Sequence, residues 1–139
     1  MLRQAHRSDV PAMQVIRLTV KENQLESMVI PDTDVIREIE DTGRGWVVEE
    51  NGRVVGFGIA NQEKRNIWAL FLDPEHEGKG HGRKLLEAMT EWLWENGDEP
   101  IWLSTEPDTR AEMFYSKAGW TKTGLLSNGD MRFEKRNPD

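Results

Sequence analysis

Ile67-Trp68-Ala69-Leu70-Phe71-Leu72 is a run of six apolar residues closed by Asp73-Pro74. It is too short for a typical helix and reads as a strand covered on both faces, and therefore central in a sheet. The next segment narrows the choice further. Glu77-Gly78-Lys79-Gly80-His81-Gly82 leads into a helical pattern with Leu85, Leu86, Met89, Trp92 and Leu93 on one face. Lys84, Glu87, Glu91 and Glu95 lie on the other face, and Gly97 ends the pattern. A buried strand, a glycine-rich loop and an amphipathic helix form the hub around which the remaining segments must be arranged.

The first of those segments, Leu2 to His6, suits a short strand, and Ser8 and Asp9 are good helix caps ahead of Pro11. Val10, Met13, Ile16 and Val20 recur at helical spacing, giving a helix that ends near Asn23. A second helix is expected from about Asp34 to Asp41. Asn51-Gly52 between Trp46 to Glu50 and Arg53 to Ala60 marks a hairpin with a type I′ turn. Ile101 to Ser104 reads as another strand, and about Thr109 to Ala118 as a helix stopped by Gly119. A closing hairpin pairs Trp120 to Leu125 with Met131 to Lys135 around Asn128-Gly129. The expectation is one mixed α/β domain over residues 1–139, with six to seven mostly antiparallel strands and helices on both faces.

Composition excludes several chemistries. With no cysteine in 139 residues there is no disulfide framework, no thiolate metal ligand and no acyl-carrying thiol. His6, His76 and His81 are too scattered to suggest zinc, so no metal is expected. No apolar run approaches the roughly 20 residues that span a bilayer, and the start of the chain does not resemble a signal peptide; a cytoplasmic protein without membrane contact is expected. A formal charge of −7 disfavours nucleic acid as a partner. Acid concentrates in Glu22, Glu26, Asp32, Asp34, Glu38, Glu40 and Asp41, against Arg37 alone. That surface could attract a cationic substrate or be an ordinary solvated face. Six tryptophans leave room for a subunit contact, as in a homodimer, although core and cleft positions are their usual place.

The loop itself has two readings. Glycines can merely permit a tight turn. Alternatively, unobstructed N–H groups at a helix N-terminus can hold phosphate oxygens, helped here by Lys79, Arg83 and Lys84 in an otherwise acidic chain. No Gly-Lys-Ser/Thr ending supports a nucleoside-triphosphate loop, and the dinucleotide-binding acidic residue is missing.

Glu77-Gly-Lys-Gly80-His-Gly82 is similar to the Gln/Arg-x-x-Gly-x-Gly/Ala motif of the GNAT superfamily of acyl-CoA-dependent N-acyltransferases. Asp108-x-x-Ala111-x-x-Phe114-Tyr115-x-x-x-Gly119-Trp120 resembles that superfamily's Asn-x-x-Ala-x-x-Leu/Phe-Tyr-x-x-x-Gly-Phe helix. The resemblance covers the whole chain in element order, and Leu70 to Trp120 in residue-level motifs. It implies a sheet splayed between its fourth and fifth strands, with acetyl-CoA as cofactor. The backbone of Leu70, Phe71 and Leu72 would pair with the pantetheine arm. Gly78, Lys79, Gly80, His81, Gly82, Arg83 and Lys84 would surround the diphosphate, and Asp108 and Phe114 would contact the cofactor.

Tyr115, the sole tyrosine, matches the position whose hydroxyl protonates the departing thiolate. The implied reaction is direct acetyl transfer to a primary amine of a small molecule, peptide or protein. An ammonium has no lone pair to attack with, so a base is also required; Glu106 and Glu22 are the candidates. Two departures stand out: Glu77 replaces Gln or Arg, and Asp108 replaces Asn, which could still cap its helix but cannot donate an amide hydrogen bond. A non-catalytic acyl-CoA sensor is the alternative function, and a ligand-free α/β scaffold would leave the basic island in the loop unexplained.

Overall fold

The computed structural model describes residues 1–20 and 30–138. Among the described residues, seven strands and four α-helices follow one another as β1 (Leu2–Gln4), α1 (Val10–Val20), α2 (Asp32–Arg37), β2 (Gly43–Glu50), β3 (Arg53–Asn61), β4 (Asn66–Leu72), α3 (His81–Glu95), β5 (Ile101–Thr105), α4 (Arg110–Lys117), β6 (Thr121–Leu125) and β7 (Met131–Lys135). They build a single sheet in the order β1-β2-β3-β4-β5-β7-β6. Every neighbouring pair is antiparallel except β4 with β5. Among the described residues no helix is long and apolar enough to cross a membrane.

The two faces of the sheet carry separate cores. On one, α1, α2 and the turn after α2 cover Val47, Phe57 and Ile59 with Met13, Ile16, Val35 and Ile39. On the other, α3 lays Leu85, Leu86, Met89 and Leu93 against Val48, Val55 and Ile67, and Tyr115, Trp120 and Phe133 extend this core toward β5 and β7. Alternation along β2 and β3 sends successive side chains to opposite cores. Complete burial of Ile59, Leu85, Met89, Leu93, Ile101 and Phe133 is worth about 1.5–3 kcal/mol per side chain.

Local chemistry explains the element boundaries. Asn51 and Gly52 take φ of 53° and 77°, the left-handed pair that a type I′ hairpin requires. Arg65, also left-handed at φ 56°, donates to the carbonyls of Leu93 (2.5 Å), Gly97 (3.0 Å) and Glu99 (2.7 Å). It thereby satisfies acceptors at the C-terminal end of α3 and ties the following loop to the β3–β4 turn.

Several sequence expectations are corrected. Asp9 does not cap α1 from outside. It lies in a 3₁₀ turn, Arg7–Asp9, where its carboxylate accepts from His6 N–H at 2.8 Å and pairs with Arg3 at 2.9 Å. The second helix begins two residues early, at Asp32, and passes into a π-helical turn at Glu38–Thr42. The end of α1 toward Asn23 lies outside the described residues.

The β4 strand is central, yet only Asn66 and Ile67 are buried; Trp68 to Leu72 are half-buried. Cavities border this part of the strand on both sides, which is why its apolar content exceeds what the core alone consumes. The β4–β5 pairing is confined to Asn66 opposite Trp102. Beyond that point the two strands separate, as the family resemblance implied.

Candidate functional site

A cleft of about 740 Å³ opens where β4 and β5 part. Leu70, Phe71 and Leu72 form one wall, and Ala111, Phe114 and Tyr115 of α4 form the opposite one. Pro74, Glu77, Gly78, Gly80, Gly82 and Arg83 close the end at the N-terminus of α3, and Thr19 reaches the cleft from α1. The strand wall is held from behind by β3, with Leu70 opposite Gly58 and Leu72 opposite Gly56. Beyond Asn66 the other edge of β4 has no β5 partner, so its main-chain groups face the gap.

The loop owes its shape to glycine. Gly78 and Gly80 have φ of 81° and 84°, and nothing lies within 4 Å of where a Cβ would project from either. Side chains there would incur left-handed strain of about 1–2 kcal/mol and would project into open space bordering the cleft. The helix begins directly afterwards, at His81, so its first N–H groups and its partial positive charge meet the cleft. This arrangement fits a diphosphate, and the adjacent strand edge fits an extended amide-bearing arm.

Not every predicted residue meets there. The side chain of Lys79 turns to Glu50, with Nζ 3.2 Å from Oε1. His81 does the same, with Nε2 2.5 Å from Oε2, and His76 Nε2 stands 4.0 Å from Oε1. Glu50, at the end of β2, was not singled out by sequence. Its position one residue before Asn51-Gly52 was legible, but its partners lie about 30 residues away. His81 and then Lys79 draw its carboxyl down to about 2, so it is ionised at neutral pH. Lys79 and His81 therefore face away from the cleft and leave the backbone of the loop to face it. Lys84 and Asp108 do not line the cleft either.

Glu77 lies at the cleft rim, its carboxylate 3.5 Å from Arg110, and that cation offsets the misplaced negative charge. Asp108 has φ 61° and is not the cap of α4. Thr109 is, its hydroxyl accepting from Glu112 N–H at 3.3 Å. The Asp108 N–H in turn donates to Glu112 Oε1 at 3.2 Å. A hydroxyl at Thr109 reaches the first turn of α4 directly, displacing Asp108 into the preceding bend.

Tyr115 is 7% exposed and packs edge-on to Phe114 and Trp120, with ring centroids 5.2 Å and 6.2 Å away. Burial pushes its phenol well above the ordinary value, keeping it protonated and able to donate. Glu106 is exposed and does not line the cleft. Glu22 lies outside the described residues. Among the described residues no His, Asp or Glu cluster could hold a metal ion.

Comparison with other proteins agrees with this geometry. The chain is 26% identical over 81 residues to the [ribosomal protein bS18]-alanine N-acetyltransferase of Haemophilus influenzae, a match spanning 57% of this chain and 56% of that protein. The crystal structure of the ribosomal-protein-alanine N-acetyltransferase from Brucella melitensis superposes with a TM-score of 0.81 at 19% identity, covering 99% of each chain. The PaiA N-acetyltransferase of Thermoplasma acidophilum in complex with coenzyme A gives a TM-score of 0.75 at 18% identity, covering 99% of this chain and 98% of that one. The profile of the acetyltransferase (GNAT) family matches residues 12–120. Because that match spans most of the sequence, this chain belongs to the acetyltransferase (GNAT) family.

Proposed function

We propose that the protein is an acetyl-CoA-dependent N-acetyltransferase that moves the acetyl group directly to a primary amine. The observation that carries this reading is the convergence, in one cleft, of the left-handed Gly78–Gly80 loop, the unpartnered edge of β4 and the buried phenol of Tyr115. When bound, acetyl-CoA supplies an activated thioester. The amides from Gly78 to Arg83 hold its diphosphate, and the Leu70–Leu72 backbone orients its arm. Phe114 and Tyr115 form the far wall near the thioester. Tyr115, kept neutral by burial, donates its proton to the leaving sulfur, which turns a thiolate into a neutral thiol.

This assignment favours an enzyme over an acyl-CoA sensor, because a sensor has no use for a protonated phenol beside the sulfur position. Acetyl-CoA is a cytoplasmic metabolite, and we place the activity in that compartment. The test is thiol release from acetyl-CoA in the presence of a panel of primary amines. Amine-dependent release supports the enzyme; binding of acetyl-CoA without release by any amine supports the sensor.

A further inference from the structure

A second cavity, of about 220 Å³, lies on the opposite face of β4, enclosed by α1, α2 and β3. It shares Phe71 with the cleft described above, so a molecule seated in it lies one side chain away from that cleft. The pairing of β3 with β4 shifts between Ile59 and Ala60, leaving Trp68 without an opposing residue. This extra residue turns Trp68 to the same side as Ala69 and Phe71. Met13, Phe57 and Ile59 complete an apolar wall. No carboxylate lines this cavity among the described residues, and its one charged lining residue is Arg17, itself 5% exposed.

We infer that this cavity seats the acceptor and selects a compact primary amine with an apolar, preferably aromatic, body over a polyamine or an aminoglycoside-like polycation. The inference rests on the acetyltransferase reading. An apolar wall rewards burial of a ring and strands a second ammonium group without hydration.

The same surroundings bear on the base. Removing an alkylammonium from water favours its neutral form, so the amine sheds its proton more readily as it enters. The nitrogen lone pair then attacks the thioester carbonyl and the C–S bond breaks. The sulfur takes the Tyr115 proton, and the second proton of the nitrogen is returned to solvent or to the phenolate. In the described part of the acidic stretch, Glu40 pairs with Arg7, Asp34 with Arg37, and Glu38 with Thr42 and Asn61, while Asp32 accepts from Gln14 at 3.1 Å beside the cavity.

The experiment compares phenethylamine with spermidine under saturating acetyl-CoA, reading kcat/KM by thiol release in the wild type, Trp68→Ala and Trp68→Phe. Expected is at least a ~10-fold preference for phenethylamine, within the range a hydrophobic subsite provides. That preference should shrink in Trp68→Ala and be restored in Trp68→Phe, with the KM for acetyl-CoA unchanged throughout. Equal or better use of spermidine by the wild type overturns the inference without reference to any variant, as does a preference that Trp68→Ala leaves intact. Thermal stabilisation by acetyl-CoA, measured in parallel, separates the two readings. Stabilisation with no phenethylamine preference sinks this inference alone, whereas loss of stabilisation sinks the acetyltransferase reading beneath it.

Discussion

Oε2 of Glu50 and Nε2 of His81 lie 2.5 Å apart, joining the end of β2 to the first residue of α3 across 31 positions of sequence. With Lys79 on its other oxygen, Glu50 clasps the glycine loop from the side away from the cleft. Replacement by Gln weakens the clasp. The KM for acetyl-CoA should rise about two- to five-fold, the scale of a partly exposed ion pair, while kcat stays unchanged. The sign of the pH effect is set by a carboxyl lowered from 4.5 to about 2: its contribution is complete above 4.5 and disappears as the pH falls through about 2. Steady-state kinetics on Glu50→Gln check the first part, and acid unfolding of the two proteins checks the second.

Tyr115→Phe keeps the apolar packing and removes the proton donor. Coenzyme A should bind as before, and acetyl transfer should slow by about 10²-fold or more, the usual weight of general acid catalysis. Because burial raises the phenol's proton affinity in the folded state, its contribution to stability is complete below the free tyrosine value of about 10 and is lost as the pH rises beyond it. A pH–rate profile should accordingly show no fall assignable to this residue below about pH 10.

Gly80→Ala places a methyl on a residue at φ 84° where no atom of the protein stands in the way. The cost to stability is backbone strain of about 1–2 kcal/mol, visible as a few degrees in Tm. The larger effect falls on cofactor binding, since the loop moves off its left-handed geometry. Calorimetric titration with coenzyme A should show weaker binding than the loss of stability alone explains.

Arg65→Ala removes three hydrogen bonds to the carbonyls of Leu93, Gly97 and Glu99. Denaturant unfolding should show a loss of roughly 1–3 kcal/mol, the scale of hydrogen bonds from a charged donor, with the part-buried bond to Leu93 carrying most of it. The KM for acetyl-CoA should not change, because Arg65 lies at the other end of α3 from the glycine loop.

The parts of this protein that are legible in sequence are those set by local chemistry. Asn51-Gly52 announces its hairpin, and the loop from Gly78 to Gly82 announces a phosphate-like site, because turn conformation and helix onset depend on neighbours in the chain. What was not legible concerns long-range partners. The side chains of Lys79 and His81 turn to Glu50, which nothing near them in sequence reveals, while their main-chain amides remain in the loop. Six consecutive apolar residues in β4 suggested burial on both faces, whereas part of that apolar surface lines the two cavities. Asp108 looked like the cap of α4 by its place in a family motif, but Thr109 lies one residue closer to the helix and takes the role.

The most direct measurement compares coenzyme A with pantetheine, which lacks the diphosphate, in thermal unfolding of the wild type. If the amides from Gly78 to Arg83 grip the diphosphate, coenzyme A at 100 times its Kd adds about 2.7 kcal/mol to stability, and pantetheine at the same concentration adds far less. Equal stabilisation by the two compounds, or none by coenzyme A at millimolar concentration, would contradict the account.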